Sequence, residues 1–342
     1  EVNLKANDIV NMRMAQYAQA PVLLVGDIDR GGVFASFVGT MEVLNEAERR
    51  QIAGFVINRF RGDASLLGDA LEYTRFHTGK PVLGTVPYLR NLGLPEEDSV
   101  SFKQGLLPTG EKDQQLLDVA VLDLPHISNF TDLDPLGLEP DVGLRIVRSV
   151  ADLGQPDALI LPGSKNTLAD VSWLQQTGLA AAIRELAQAG KTELVGICGG
   201  FQLLGNSISD PYAIESGAGE QQGLGLLGIS TVMAEEKTTR QASCCHIPSG
   251  CLLSGYEIHH GITSGDNLQP LITSQDGSLL GAGSPDGLVW GSYLHGLFDA
   301  DLFRRWWLNR LRGRKVWQTN GIIRACYDLS PALDRLAACV RC

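Results

Sequence analysis

The segment of this sequence with the clearest potential for chemistry places a cysteine between glycines. Gly196-Ile-Cys-Gly-Gly200 joins an apolar run at 194–197 to a helix-like stretch at 201–204. A residue on such a strand-to-helix turn projects its side chain from the carboxyl edge of a sheet, and the helix that follows favours a thiolate. We therefore predict that Cys198 is a nucleophile, with the backbone N–H of Gly199 facing a developing oxyanion. The alternative is a buried structural cysteine beside a turn.

A thiolate nucleophile needs a residue that takes and returns a proton. His295 is the best-placed histidine, because it follows the apolar run Gly287-Leu-Val-Trp-Gly at the end of a predicted strand. It can therefore return to the sheet edge that carries Cys198. The alternative is a core histidine satisfied by hydrogen bonds. Three further histidines compete for the role from turn-like segments: His126, His259 and His260.

A third segment could complete the site. Leu161-Pro-Gly163-Ser164 is a strand end followed by a polar loop. Such a loop can direct a second backbone N–H at the oxyanion, so we predict that Gly163, Ser164 and Gly199 contact the substrate. Gly163 could equally be an ordinary turn glycine.

Length and composition limit the class of protein. The 342 residues suffice for about two domains, and 44% hydrophobic with 20% charged residues is typical of a folded α/β protein. A net charge of -11 disfavours nucleic acid as a partner. No apolar run approaches the ~20 residues of a membrane span. The seven irregularly spaced cysteines do not form a disulfide pattern, which indicates the reducing cytoplasm.

Two series of alternating strands and helices must position these residues, which predicts two α/β domains with parallel sheets. In the first series, strands are predicted at 21–27, 52–58 and 81–86. In the second, they are predicted at 119–122, 158–161 and 194–197. Helices are predicted at 33–46, 64–77, 179–189 and 302–311. We place a first domain at 1–105, a linker at 106–117, a second domain at 118–312 and a C-terminal tail at 313–342.

The order of loop, cysteine elbow and histidine resembles the class I glutamine amidotransferase family, whose domain is a three-layer, flavodoxin-like α/β fold. That resemblance implies glutamine as substrate and a contact from Gln202, four residues after the cysteine. The family usually carries a glutamate two residues after the histidine, where this sequence has Leu297. We therefore expect either a Cys–His dyad or a carboxylate from elsewhere in the chain.

The missing glutamate is typical of the cobyrinic acid amidase branch, and the sequence closely resembles the cobyric acid synthase family. Four blocks carry this resemblance: Val25-Gly-Asp-Ile-Asp-Arg-Gly-Gly-Val-Phe-Ala, Gly54-Phe-Val-Ile-Asn-Arg-Phe-Arg-Gly-Asp, Val82-Leu-Gly-Thr-Val-Pro-Tyr, and Gly255-Tyr-Glu-Ile-His-His-Gly. It implies a first domain of dethiobiotin-synthetase-like, P-loop type that uses ATP and Mg²⁺. That domain would phosphorylate a corrinoid carboxylate for attack by ammonia.

Three residues of the first domain are candidates for the nucleotide side. Asp27 ends a strand where a metal-facing carboxylate would lie, Arg30 precedes a helix suited to an anion, and Asn58 matches the position that recognises adenine. The alternatives are helix capping and simple solvation. The sequence contains no Gly-x-x-x-x-Gly-Lys-Ser/Thr phosphate loop and opens at Glu1. We expect a chain that has lost its beginning and is competent only as a glutaminase, with no tightly bound cofactor.

Several alternatives stay open at this point. A cobyrinic acid a,c-diamide synthase is the nearest other ligase. A stand-alone cysteine hydrolase resembling γ-glutamyl hydrolases would leave the first domain without a use, and a non-enzymatic relative of partition ATPases would not need Cys198. The segments Cys244-Cys-His and Cys339-Val-Arg-Cys lack zinc-finger spacing, so we predict no metal site.

Overall fold

The computed structural model describes residue 3 and residues 5–89, 92–94, 112–215, 219–319 and 321–341. The chain divides into two compact units. The first comprises Glu1–Leu94 with Leu329–Cys342, and the second comprises Pro95–Asp328. Both units combine helices with a sheet, as the sequence predicts.

The first unit is built on a parallel sheet of three described strands with β2 in the middle. The strands are β1 (Val22–Asp27), β2 (Ile52–Phe60) and β3 (Val82–Pro87). The helices are α1 (Asn11–Ala18), α2 (Val33–Val43), α3 (Glu46–Gln51) and α4 (Gly68–Thr78). The predicted helix at 64–77 therefore begins as a 3₁₀ turn, Ala64–Leu67, before α4.

Alternation along β1 decides which face of this sheet is buried. Gly26 leaves room for α2, since a Cβ there would lie 2.7 Å from the Phe37 ring. Phe37 stacks on Phe55 of β2 with ring centroids 4.5 Å apart. Leu23 and Val25, which point the other way, are exposed. The core of this unit therefore lies on the α2 side of the sheet.

The second unit contains an eleven-stranded mixed sheet with the order β11-β10-β12-β14-β15-β16-β9-β7-β4-β6, and β13 pairs with β12. The strands of this unit, of which β5 and β8 form a separate pair, are β4 (Leu117–Leu122), β5 (Ile127–Ser128), β6 (Val142–Val147), β7 (Ala158–Leu161), β8 (Gly163–Ser164), β9 (Glu193–Ile197), β10 (Ser207–Asp210), β11 (Gly219–Gln222), β12 (Ile229–His246), β13 (Cys251–Gly265), β14 (Gln269–Ser274), β15 (Leu279–Gly283) and β16 (Val289–Ser292). Its helices are α5 (Asp134–Leu138), α6 (Val150–Leu153), α7 (Thr167–Gln176), α8 (Leu179–Ala189), α9 (Gly199–Leu203) and α10 (Asp301–Arg314).

The strands β16, β9, β7, β4 and β6 run parallel and form the part of the sheet that matters for the site. Every residue of β7 and β9 is buried. Such continuous burial is what a parallel strand covered on both faces shows, and it explains the unbroken apolar runs in the sequence. The carboxyl ends of these strands meet at one edge.

Helix α10 is fixed to this sheet by polar contacts as well as by packing. Trp307 is fully buried, and its indole donates to the Glu193 carboxylate over 2.9 Å. Trp290 donates to the same oxygen over 2.6 Å. Arg305 binds Asp141 at 2.7 Å in a buried ion pair. A buried glutamate is tolerated here because its oxygens are satisfied by hydrogen bonds.

The C-terminal segment differs from the expected tail. It contains a further helix, α11 (Ser330–Arg341), which belongs to the first unit. Ala332 of this helix is buried, and Arg335 donates to the Leu92 carbonyl over 2.6 Å. The sequence of α11 mixes apolar with polar residues, so its helical spacing does not stand out from the sequence. Half of the predicted linker at 106–117 lies outside the described residues, so its edges stay predictions.

Within the described ranges, no helix combines the length and apolar character needed to cross a bilayer.

Candidate active site

Cys198 lies at the junction of β9 and α9, where the backbone turns sharply. Its φ of 50° and ψ of -106° are unusual for a residue with a side chain and cost about 1–3 kcal/mol. A Cβ on Gly200 would overlap the Leu161 carbonyl, and a Cβ on Gly196 would lie 2.6 Å from Gly200. The flanking glycines therefore let α9 pack against the strand ends, which holds the cysteine in its strained conformation.

His295 reaches the same sheet edge from the neighbouring strand. Strand β16 pairs with β9 so that Ser292 lies opposite Ile197, and the Ser292 carbonyl accepts from the Cys198 N–H over 2.7 Å. Three residues after that strand, the His295 side chain is completely buried. The structure thus brings together the two residues that the sequence predicts to share one site.

A carboxylate from a distant part of the chain binds the His295 ring. Oδ2 of Asp132 lies 2.7 Å from Nδ1 of His295, and Oδ1 accepts from the Gly296 N–H over 2.7 Å. Asp132 is buried in the 3₁₀ turn Phe130–Leu133, which follows β4 and β5. Leu297, the position of the family's usual glutamate, is buried among apolar side chains. Of the two options left open by the sequence, the structure therefore supplies a carboxylate from elsewhere.

The surroundings of His295 control its charge. Burial alone would lower the pKa of the ring, but the hydrogen bond and charge of Asp132, together with the nearby sulfur of Cys198, outweigh burial and raise this pKa to about 10. Nε2 of the ring has no hydrogen-bond partner among the described residues. The ring is therefore stabilised as an imidazolium with one nitrogen left to exchange a proton.

Tyr256 holds the imidazole from one face. Its ring stacks on His295 with centroids 5.1 Å apart and planes 20° from parallel. Backbone hydrogen bonds join the same two residues, and Asn129 donates to the Tyr256 hydroxyl over 2.6 Å. Burial raises the pKa of this phenol above its ordinary value, which keeps it neutral. The ring plane of His295 is thus fixed on its edge by Asp132 and on its face by Tyr256.

The rival histidines have other partners. Nδ1 of His126 lies 2.8 Å from the buried Asp170 carboxylate. Both ring nitrogens of His259 face acceptors, the Gly261 carbonyl at 2.9 Å and the Glu257 carboxylate at 3.2 Å. His126 shares this carboxylate contact with His295, but its ring is partly exposed and does not line the cavity beside Cys198. Nδ1 of His260 lies 3.0 Å from the Ala234 carbonyl.

The residues predicted to bind the substrate also gather at this edge. A Cβ on Gly199 would lie 2.8 Å from the backbone nitrogen of Ser164, so the two backbones are in contact. A Cβ on Gly163 would lie 3.2 Å from Cε1 of His295. Gln202 is buried on α9 and binds the Tyr293 hydroxyl over 3.2 Å. The sequence predicted these positions but gave no indication of Tyr293 or Asp132.

A cavity of about 260 Å³ opens beside the cysteine. Its charged groups include Lys165, Glu215 and Lys237. Burial raises the pKa of Glu215, whose carboxylate accepts from the Thr167 N–H over 2.6 Å. The residues that line the cavity are Ser128, Asn129, Ser164, Lys165, Thr167, Cys198, Gly199, Gln202, Ile214, Glu215, Lys237, Ile258, His259 and His260.

The three candidates for the nucleotide side lie together in the first unit. Asp27 and Asn58 are partners in the β1–β2 register, at the strand ends. The Asp27 carboxylate lies 3.5 Å from Arg30 and 3.4 Å from Arg59. Asp27 is therefore paired with arginines at the carboxyl edge of the parallel sheet.

Metal ligands are a separate question. Within the part of the chain that the structure describes, no three His, Cys, Asp or Glu side chains gather closely enough to hold an ion. Burial raises the pKa of the Cys244 thiol to about 11, which disfavours the thiolate that zinc would need. Cys342, the last residue of the second predicted pair, lies outside the described residues.

Comparison with known protein families divides the chain in the same way as the two compact units. Residues 118–303 match the family of the CobB/CobQ-like glutamine amidotransferase domain. Residues 2–96 match an AAA domain family.

Curated relatives extend the likeness to the whole chain. A cobyric acid synthase of Nitratidesulfovibrio vulgaris is 50% identical, and the match covers all of this chain and 70% of that protein. A cobyric acid synthase of Geobacillus thermodenitrificans is 44% identical, with 100% and 68% covered. The adenosylcobalamin biosynthesis bifunctional protein CobDQ of Leptospira interrogans is 51% identical, and this chain spans 40% of its length. The chain therefore belongs to the cobyric acid synthase family, with a CobB/CobQ-like glutamine amidotransferase domain.

Proposed function

We propose that the second unit hydrolyses glutamine to glutamate and ammonia, with Cys198 as nucleophile and His295 as its acid and base. The observation that carries this proposal is the buried hydrogen bond of 2.7 Å between Asp132 and the His295 ring, whose other nitrogen has no partner in the described part of the chain. Asp132 orients the ring and stabilises its charged form.

The reaction follows from these positions. The Cys198 thiolate attacks the carboxamide carbon of glutamine and forms a C–S bond, and the carbonyl oxygen becomes an oxyanion beside the N–H groups of Gly199 and Ser164. Nε2 of His295 gives its proton to the leaving nitrogen, and ammonia departs as the C–N bond breaks. The neutral ring then takes a proton from water, which attacks the thioester. Glutamate is released and the thiolate returns.

The cavity supports an amino acid as the substrate. Its volume of about 260 Å³ exceeds what a water molecule needs and is at the small end for organic ligands. Glu215 and Lys237 provide charges of both signs, which suits the ammonium and carboxylate groups of a free amino acid. Gln202 lies in the same lining, consistent with a contact to the substrate.

The activity of the whole protein is a further part of the proposal. The family relation supports an ATP-dependent amidation of side-chain carboxylates of a corrinoid, cobyrinic acid a,c-diamide, in cobalamin biosynthesis. Asp27, Arg30 and Asn58 would hold ATP and its Mg²⁺. The bound ATP would supply the phosphoryl group that activates the corrinoid carboxylate. The described cysteines are free thiols, which fits a cytoplasmic location.

Turnover of glutamine by the purified chain tests the glutaminase proposal. We expect release of ammonia from glutamine, and much slower cleavage of γ-glutamyl peptides, whose leaving groups are larger than the amide nitrogen. Cys198→Ala should abolish turnover, whereas Cys326→Ala, which removes an exposed free thiol, should not change it. Faster cleavage of γ-glutamyl peptides than of glutamine would instead favour a stand-alone hydrolase.

A further inference from the structure

A buried carboxylate outside the Cys198–His295–Asp132 group holds the loop that faces the cysteine. Asp170 lies on α7 with no exposed surface. One of its oxygens accepts from the Ser164 hydroxyl over 2.6 Å. Its other oxygen accepts from Nδ1 of His126 over 2.8 Å and from the His126 N–H over 3.3 Å.

These bonds connect two segments that meet at the site. Ser164 Oγ, while donating to Asp170, accepts from the Asn166 N–H over 3.0 Å. The Lys165 N–H donates to the His126 carbonyl over 2.9 Å. The short strand β8 also pairs with β5. Asp170 is therefore the common acceptor for the loop that carries Ser164 and for the segment beside it.

The charge of this group is balanced locally. A carboxylate without exposed surface is costly unless donors surround it, and the three N–H and O–H groups around Asp170 meet that need. Burial nevertheless raises the pKa of Asp170. The His126 ring, which is 44% exposed, supplies one of these donors.

We propose that Asp170 is a positioning residue, which fixes the Ser164 backbone N–H against Gly199 so that both can stabilise the oxyanion, and that the His126 ring holds the second oxygen of Asp170 in place. This inference rests on the proposed glutaminase function. Asp170 does not line the cavity, so its effect passes through the two residues that it binds, Ser164 and His126. Donors held in advance toward a developing charge lower the barrier to the chemical step rather than the affinity for substrate.

Two variants test this role by comparing two reactions at the same sulfur. In Asp170→Asn and Ser164→Ala, we expect kcat for glutamine hydrolysis to fall by about 10- to 100-fold, less than the full loss of a donor, with KM nearly constant. Alkylation of Cys198 by iodoacetamide forms no oxyanion, so its rate should stay at the wild-type value. Asp152→Asn is the matched control, because it removes a similar bond, from the Ser149 hydroxyl at 2.8 Å, outside the cavity lining.

The contact from the His126 ring to Asp170 is tested at His126. We expect His126→Ala, which removes the ring donor, to lower kcat, and His126→Asn, whose side-chain amide can donate to Asp170, to recover part of it. Unchanged kcat in both Asp170→Asn and Ser164→Ala would overturn the inference while leaving the glutaminase proposal intact. Equal falls in hydrolysis and alkylation would also overturn it, since they indicate general damage. A wild-type chain without glutaminase activity would overturn the proposed function and this inference together.

Discussion

Nδ1 of His295 lies 2.7 Å from Oδ2 of Asp132, although 163 residues separate the two along the chain. The contact closes because the turn after β5 and the loop after β16 reach the same edge of one sheet. It fixes which ring nitrogen carries the permanent proton and directs the other nitrogen away from Asp132. Most of what we expect of this site depends on that contact.

Asp132→Asn should lower kcat for glutamine hydrolysis on the order of 10²- to 10⁴-fold, because the amide no longer stabilises an imidazolium. The pH profile gives a second readout. Asp132 helps to raise the pKa of His295 to about 10, so its loss should move the alkaline decline of activity to lower pH. Steady-state rates measured between neutral and alkaline pH check both effects.

Asp123→Asn is the control for that experiment, since Asp123 follows β4 but pairs with Arg148 at 2.9 Å rather than with a histidine. It should leave the pH profile in place. An Asp132→Asn enzyme with wild-type rate and profile would mean that His295 acts without this carboxylate, as a dyad.

Gly200→Ala should damage the elbow. The added Cβ would overlap the Leu161 carbonyl, and neither backbone segment can shift without moving a buried strand. We expect a loss of roughly 3–5 kcal/mol in the free energy of unfolding, at the upper end for one methyl group. Gly313→Ala on α10, where a Cβ meets no atom within 4 Å, is the matched control and should not destabilise the fold. Chemical denaturation measures both, and an equally stable Gly200→Ala protein would contradict the geometry of the elbow.

Asp299 should make stability depend on pH. Burial, and then the charge of Asp132, raise the pKa of Asp299 to about 7 from an ordinary 3.8. An acid whose folded pKa is raised favours the folded state when protonated, so its contribution is lost as pH rises through about 7. Asp299→Asn should therefore exceed the wild type in unfolding free energy at pH ~8 by ~1–4 kcal/mol, and by roughly a third of that amount at pH ~5.

Denaturation at the two pH values checks this expectation. Asp152→Asn is the control and should differ from the wild type by the same amount at both pH values, because the Ser149 hydrogen bond lowers the pKa of Asp152 below its ordinary 3.8 and the group stays ionised throughout this range. A stability difference for Asp299→Asn that does not change with pH would show that Asp299 does not titrate in this range.

The elbow and the histidine could be predicted because local sequence determines them. Only a tight turn explains glycines on both sides of Cys198 after an apolar strand, and a histidine after the next parallel strand has to reach the same edge. Asp132 could not be found in this way. It shares its loop with Asp123 and Asp134, and no periodicity distinguishes a carboxylate that faces the site from one that caps a turn.

Other features were hidden for the same reason. The Tyr293 hydroxyl that binds Gln202 and the Tyr256 ring that stacks on His295 are set by strand pairings across the sheet. Helix α11 returns to the first unit after the whole second unit, a long-range arrangement that composition cannot indicate.

The most direct test of the account is covalent labelling by 6-diazo-5-oxonorleucine, a glutamine analogue with an electrophilic carbon, followed by mass spectrometry of the peptides. We predict one adduct, on the peptide that carries Cys198, formed in step with loss of glutaminase activity and slowed by glutamine. Cys198→Ala should give no adduct and no activity. Labelling of another residue with loss of activity, or glutamine hydrolysis by the Cys198→Ala protein, would contradict the central claim.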